Sequence, residues 1–63
     1  MEPLFNYGDR VKDSITSYSG YVTAMCDFFG KRENEYCVES LDKEGSPKAI
    51  WIIGSRLIKI ERG

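Results

Sequence analysis

Apolar and polar residues alternate in short runs, and glycines separate the runs: Gly8, Gly20, Gly30, Gly45 with Pro47 after it, and Gly54. No segment carries the three-to-four-residue period of an amphipathic helix. Turn signals about every 10 residues predict an all-β barrel or sandwich. The first strand is expected at 9–13, with Val11 inward and Arg10 and Lys12 outward. A polar loop, 14–19, follows and carries Tyr18. The second strand is expected at 20–29, with Val22, Ala24, Cys26 and Phe28 on the apolar face and Tyr21, Thr23, Met25, Asp27 and Phe29 on the mixed one. That two-residue period is that of a half-buried strand.

Residues 30–33 form a candidate hairpin turn. The third strand is expected at 35–41, with Tyr36 and Val38 inward and Glu35, Cys37 and Glu39 outward. The turn at 42–47 is the clearest in the chain, because Gly45 can adopt a positive φ and Pro47 stops strand pairing. Fourth and fifth strands are expected at 48–53 and 56–61. The run Ile50-Trp51-Ile52-Ile53 is apolar on both faces, which leaves its phase open. A doubly apolar strand in so small a barrel predicts that one face is covered by something else, such as a second copy of the chain. Five short strands predict a small five-stranded SH3-like barrel. It forms one domain over 1–63, with an ordered core at about 7–61, and the ends (1–6 and 62–63) are its least constrained parts. The opening supports this, since Gly8-Asp9-Arg10-Val11 enters a strand and Gly20 lets the next one bend.

Composition narrows the function. A chain of about 60 residues buries only about 60% of its unfolded surface, yet this one carries one Trp, four Tyr and three Phe. Net charge is −1, from nine basic and ten acidic residues without a basic run. That argues against binding long nucleic acid through its phosphates, which needs a basic excess. No stretch approaches the ~20 apolar residues that span a bilayer, and the first residues lack a basic start and an apolar signal core. A cytoplasmic protein without a membrane partner is expected. Cys26 and Cys37 are too few for a disulfide framework and are expected as free thiols. In a hairpin symmetric about Lys31 and Arg32 they would face each other, either as a redox or metal pair or as two small packing residues.

Catalysis finds no footing. Without histidine there are no Ser–His or Cys–His pairs and few zinc sites. The carboxylates Glu33 with Glu35 and Asp42 with Glu44 have ordinary surface spacing, and a general acid needs a pocket to shift its pKa. Neither a phosphate-binding Gly-rich loop nor a dinucleotide fingerprint is present. The expectation is a protein with no catalysis of its own, no metal and no cofactor. What remains is aromatic. Tyr18, Tyr21, Phe28, Phe29, Tyr36 and Trp51 cannot all fit inside. Either they build the core and a dimer seam, or some form a stacking platform for a base, with cations for phosphate. Trp51 is expected in the core, and Tyr18 and Phe29 outside. Arg56 in its turn is either an anion anchor or a solvated arginine. The candidate ligand-binding residues are Tyr18, Phe28, Phe29, Lys31, Arg32, Trp51 and Arg56.

The order Gly8-Asp9-x-Val11-x-Asp13-x-Ile15-Thr16-x-Tyr18-x-Gly20-x-Val22-Thr23-Ala24 resembles a family of very short phage and prophage proteins. The likeness continues through Asp27-Phe28-Phe29-Gly30, Tyr36-x-Val38, Leu41-Asp42-Lys43-x-Gly45-x-Pro47, Trp51 and Leu57. Two positions depart from the family pattern: Glu35 stands where a basic residue is usual, and Ile52-Ile53-Gly54 where acidic or polar residues follow the tryptophan. The resemblance implies a small SH3-like barrel encoded by a phage or integrated element. It also implies a non-enzymatic binder of the kind that sequesters host nucleotide immune signals as a "sponge", a homo-oligomer with ligand between subunits. The expected partners are therefore itself and a small nucleotide-like ligand. The competing expectations are an SH3-like protein-interaction adaptor working through a groove or strand edge, and a weak RNA- or DNA-binding module.

Overall fold

The structure is a computed structural model that describes residues 4–41 and 45–60. Residues 1–3 and 62–63 of the expected ends, Glu61 of the expected fifth strand, and Asp42, Lys43 and Glu44 of the expected turn lie outside the described residues. Strands β1 (Arg10–Asp13), β2 (Ser19–Cys26), β3 (Glu35–Leu41), β4 (Pro47–Ile53) and β5 (Leu57–Lys59) are joined into one antiparallel sheet in the order β4-β3-β2-β1-β5. The domain is all-β: no α-helix occurs among the described residues, and a 3₁₀ turn, Gly54–Arg56, separates β4 from β5. β5 returns to β1, with Asp13 opposite Leu57 and Val11 opposite Lys59. The outermost strands β4 and β5 do not pair with each other, so hydrogen bonds do not close the barrel.

Each strand delivers alternate residues to the interior. Val11, Val22, Tyr36, Val38, Ile52 and Leu57 form the core, with Tyr18 and Ile50 packed against it. Burying such a side chain stabilises by roughly 1.5–3 kcal/mol. Phe5 also belongs to this core, although 1–6 were expected to be the least constrained part and the ordered core was expected to start at 7. Its ring meets Tyr36 edge-on at 5.2 Å, and the Leu4 N–H donates to the Tyr36 hydroxyl at 2.9 Å. Buried Tyr36 needs a partner for its polar tip, and the segment ahead of β1 supplies one.

Alternation in β2 is not continuous. Val22 pairs with Val38, but Ala24 pairs with Cys37, so Thr23 is an extra residue. This bulge bends the strand and reverses its phase. Ala24 and Cys26 move to the outer face, and Met25 comes opposite Tyr36, the reverse of the expected pattern. β2 also ends at Cys26 rather than running to 29. Gly20 is needed where β2 crosses β3: a Cβ there would stand 2.2 Å from the Glu39 carbonyl oxygen. Gly45 takes the positive φ expected of it, +84°.

The phase of β4 is resolved by its register. Tyr36 opposite Ile52 and Val38 opposite Ile50 face inward, while Cys37 opposite Trp51 and Glu39 opposite Ala49 face outward. Trp51, expected in the core, thus lies outside it; it is 52% exposed, and Ile52 fills the interior in its place. Cys37 lies on the outer face as expected but is only 8% exposed, with Ala24 and Trp51 as its cross-strand neighbours.

Candidate functional site

The loop between β2 and β3 concentrates the unusual features of this chain. Its tight turn is Phe28–Lys31, two residues earlier than expected: the Lys31 N–H donates to the Phe28 carbonyl at 2.9 Å. The central residues Phe29 and Gly30 have φ of +60° and +76°. Positive φ at both positions is the mark of a primed hairpin turn, which Asn or Gly normally fills. A bulky residue there is a conformational outlier. The Asp27 carboxylate holds the turn by accepting the Phe29 N–H at 2.8 Å. The Phe29 ring gains nothing from this arrangement within the monomer, because the residue is 93% exposed.

Next to Phe29, the Arg32 guanidinium lies 3.9 Å from the centre of the Phe28 ring and 3.6 Å from the Glu35 carboxylate. The ring fixes the direction of the cation, and its side chain stays largely in solvent. Beside the loop opens a groove of about 620 Å³, lined by Leu4, Asp27, Phe29, Gly30, Arg32, Glu33, Asn34, Tyr36 and Gly54. That lies within the range of small-molecule sites, roughly 300–1,000 Å³. The Glu33 carboxylate accepts the Ser55 N–H at 2.9 Å and the Ser55 hydroxyl at 3.0 Å, which ties the loop to the 3₁₀ turn. The groove thus offers an exposed ring, a cation, two carboxylate acceptors and an amide. A second, mainly apolar cavity of about 200 Å³ lies between the N-terminal segment and β2 and includes Phe5, Tyr7 and Met25.

The residues expected to bind ligand fall into two sets. Phe28, Phe29, Lys31 and Arg32 share this one loop. Tyr18, Trp51 and Arg56 do not join them. The Tyr18 hydroxyl sits 2.8 Å from the Lys48 carbonyl and 3.3 Å from the Val38 carbonyl, which makes Tyr18 a half-buried clamp rather than an exposed ring. Burial, followed by the nearby Cys37 and Glu39, raises its pKa. Arg56 is neither an anion anchor nor a solvated arginine, because its guanidinium is bound to the carboxylate of Asp13. Trp51 stands on the outer face of β4. Cys26 and Cys37 are free thiols and do not face each other: Cys26 pairs with Glu35, and Cys37 with Ala24.

No family model, curated protein or solved structure matches this chain. Among the described residues no cluster of three or more Cys, Asp or Glu is placed to hold a metal ion, and no helix is long and apolar enough to cross a membrane. Leu4, Asp27, Glu33 and Asn34 line the groove although none was among the expected ligand-binding residues. Asp27 and Glu33 flank Phe28–Arg32 in the chain, so the loop's polarity was visible, but Leu4 arrives only through its bond to Tyr36.

Proposed function

We propose that this chain is a non-catalytic, phage-type binding protein that sequesters a small nucleotide-like ligand at the β2–β3 loop, in sites completed between copies of a homo-oligomer. The observation that carries the reading is Phe29: a large ring held at positive φ, in solvent, on the rim of a ligand-sized groove. Strain of this kind persists where surrounding structure enforces it and collects at ligand-contacting positions. A base stacks on an exposed ring without regard to sequence. Its exocyclic amine finds acceptors in Asp27 and Glu33, and its phosphate finds Arg32 in the groove lining, with Lys31 next to it in the chain. A phosphate alone gains little there, since the two carboxylates outnumber the lining arginine; the base has to contribute.

A ligand that binds only the folded state raises stability by about 2.7 kcal/mol at a hundredfold excess over its Kd. For a domain this size that is a melting shift of roughly 10–20 °C. The test is a thermal-shift panel of cyclic dinucleotides, cyclic oligonucleotides and linear mono- and dinucleotides, followed by calorimetry on any hit. One class should raise the melting temperature of the native chain and leave Phe29→Ala unmoved. No shift with any member sinks the reading.

A further inference from the structure

We propose that the free edge of β4 pairs with β4 of a second copy of this chain, antiparallel and two-fold, in a register centred on Trp51. The inference deepens the self-association in the reading above and does not depend on the ligand.

The Gly54 N–H donates to the Asn34 carbonyl, which continues the β3–β4 ladder one pair beyond Glu35 and Ile53. In an antiparallel ladder, residues that exchange bonds with the neighbour alternate with residues that point their main-chain groups away. Gly54, Ile52, Ile50 and Lys48 therefore turn their N–H and C=O toward β3, and Ile53, Trp51 and Ala49 turn theirs to the open side. Among the described residues no other strand pairs there.

This open edge is bounded at both ends. Pro47 has no N–H to give. The Ser55 N–H is already taken by Glu33 at 2.9 Å. The donors on offer are those of Ala49, Trp51 and Ile53, a set symmetric about Trp51. Two-fold pairing about that residue sets Trp51 against the partner's Trp51 and Ala49 against the partner's Ile53. Pro47 then falls opposite the partner's Ser55, so the two positions without a donor meet each other. An interface of this kind must be self-complementary, and this register makes it so.

Side chains agree with the backbone. Folded proteins blunt exposed edges with charges, bulges or short strands. β5, the other edge, has three residues and ends on Lys59. β4 has seven, and Lys48 at its start is its only charge. Trp51 would lie against the partner's Trp51, and Ile53 against the partner's Ala49, on the continuous outer face, where cross-strand apolar pairs stabilise a sheet.

The experiment combines sedimentation of the full chain with amide exchange. A dimer is expected in which the amides of Ala49, Trp51 and Ile53 exchange as slowly as those of Ile50 and Ile52 and speed up on dilution. Trp51, the sole tryptophan, should shift its emission to the red as the dimer dissociates. Ala49→Pro removes an outward donor and leaves the β3 ladder intact, so it should weaken the dimer at least about tenfold with an unchanged circular dichroism spectrum. Trp51→Lys should do the same by placing two like charges together. A monomer with fast exchange at 49, 51 and 53 overturns the proposal and leaves the edge to a strand from a different protein. A dimer that survives both substitutions, with those amides still fast, overturns it as well. A dimer of the expected kind with no nucleotide response sinks only the ligand reading.

Discussion

The guanidinium of Arg56 closes on the carboxylate of Asp13, a residue 43 positions earlier in the chain. Asp13 is 1% exposed, and its oxygens also accept the Ile15 N–H at 3.0 Å and the Thr16 hydroxyl at 2.8 Å. This knot fixes the end of β1, the loop after it and the 3₁₀ turn against one another.

The knot sets an acid limit on the fold. The bond from Arg56, aided by those from Ile15 and Thr16, outweighs burial and holds the Asp13 carboxyl at about 2 against an ordinary 3.8. A carboxyl whose pKa is lower in the folded than in the unfolded state stabilises the fold above the unfolded value, and that contribution is lost as pH falls through the folded one. Urea midpoints of the native chain should drop between about pH 4 and pH 2. Asp13→Asn should start lower at pH 7 and be flatter across that window. Equal slopes for the two proteins would exclude Asp13 as the source.

Phe29 should prove a liability for stability and an asset for binding. Phe29→Asn places a residue suited to positive φ there and removes an exposed ring. It should raise stability by about 1 kcal/mol and abolish the nucleotide-induced melting shift. A destabilised Phe29→Asn variant would mean that the ring packs on something in solution.

Gly20→Ala should be among the most damaging small changes. The added methyl meets the Glu39 carbonyl, a backbone atom that cannot swing aside. Overpacking of this kind costs roughly 1–3 kcal/mol, readable as a lower denaturation midpoint without a change in slope. An unchanged midpoint would show that β2 and β3 separate easily there.

Tyr36→Phe removes the acceptor of the Leu4 N–H while keeping the ring that meets Phe5. A loss of about 1 kcal/mol is expected, together with faster exchange of the Leu4 amide. Because Leu4 lines the groove, ligand affinity should fall as well. An unaltered Leu4 exchange rate would place that segment's anchor in Phe5 alone.

Local signals carried the strands. Turn signals marked all five, period-two alternation marked those other than the doubly apolar β4, and β3 came out with its full bounds because Tyr36 and Val38 alternate cleanly with Glu35, Cys37 and Glu39. The errors arose where a neighbour decides the outcome. Trp51 was expected in the core, but the register with Cys37 puts it outside. Asp13 with Arg56, and Leu4 with Tyr36, are contacts between distant parts of the chain that no local pattern announces. The β2–β3 loop was legible as a cluster of rings and cations. Its turn was misplaced because a positive-φ position disfavours a bulky side chain such as that of Phe29.

The bulge in β2 has an unexpected corollary for sequence change. Because Thr23 is supernumerary, its deletion would leave Ala24 opposite Cys37 and Met25 opposite Tyr36, with every later side chain on its present face. Loss of any other single residue from β2 would put part of the strand out of step with β3 unless the bulge itself moved to compensate. One position can thus be spared without misdirecting a neighbour, and what disappears with it is the curvature that wraps the sheet around its core.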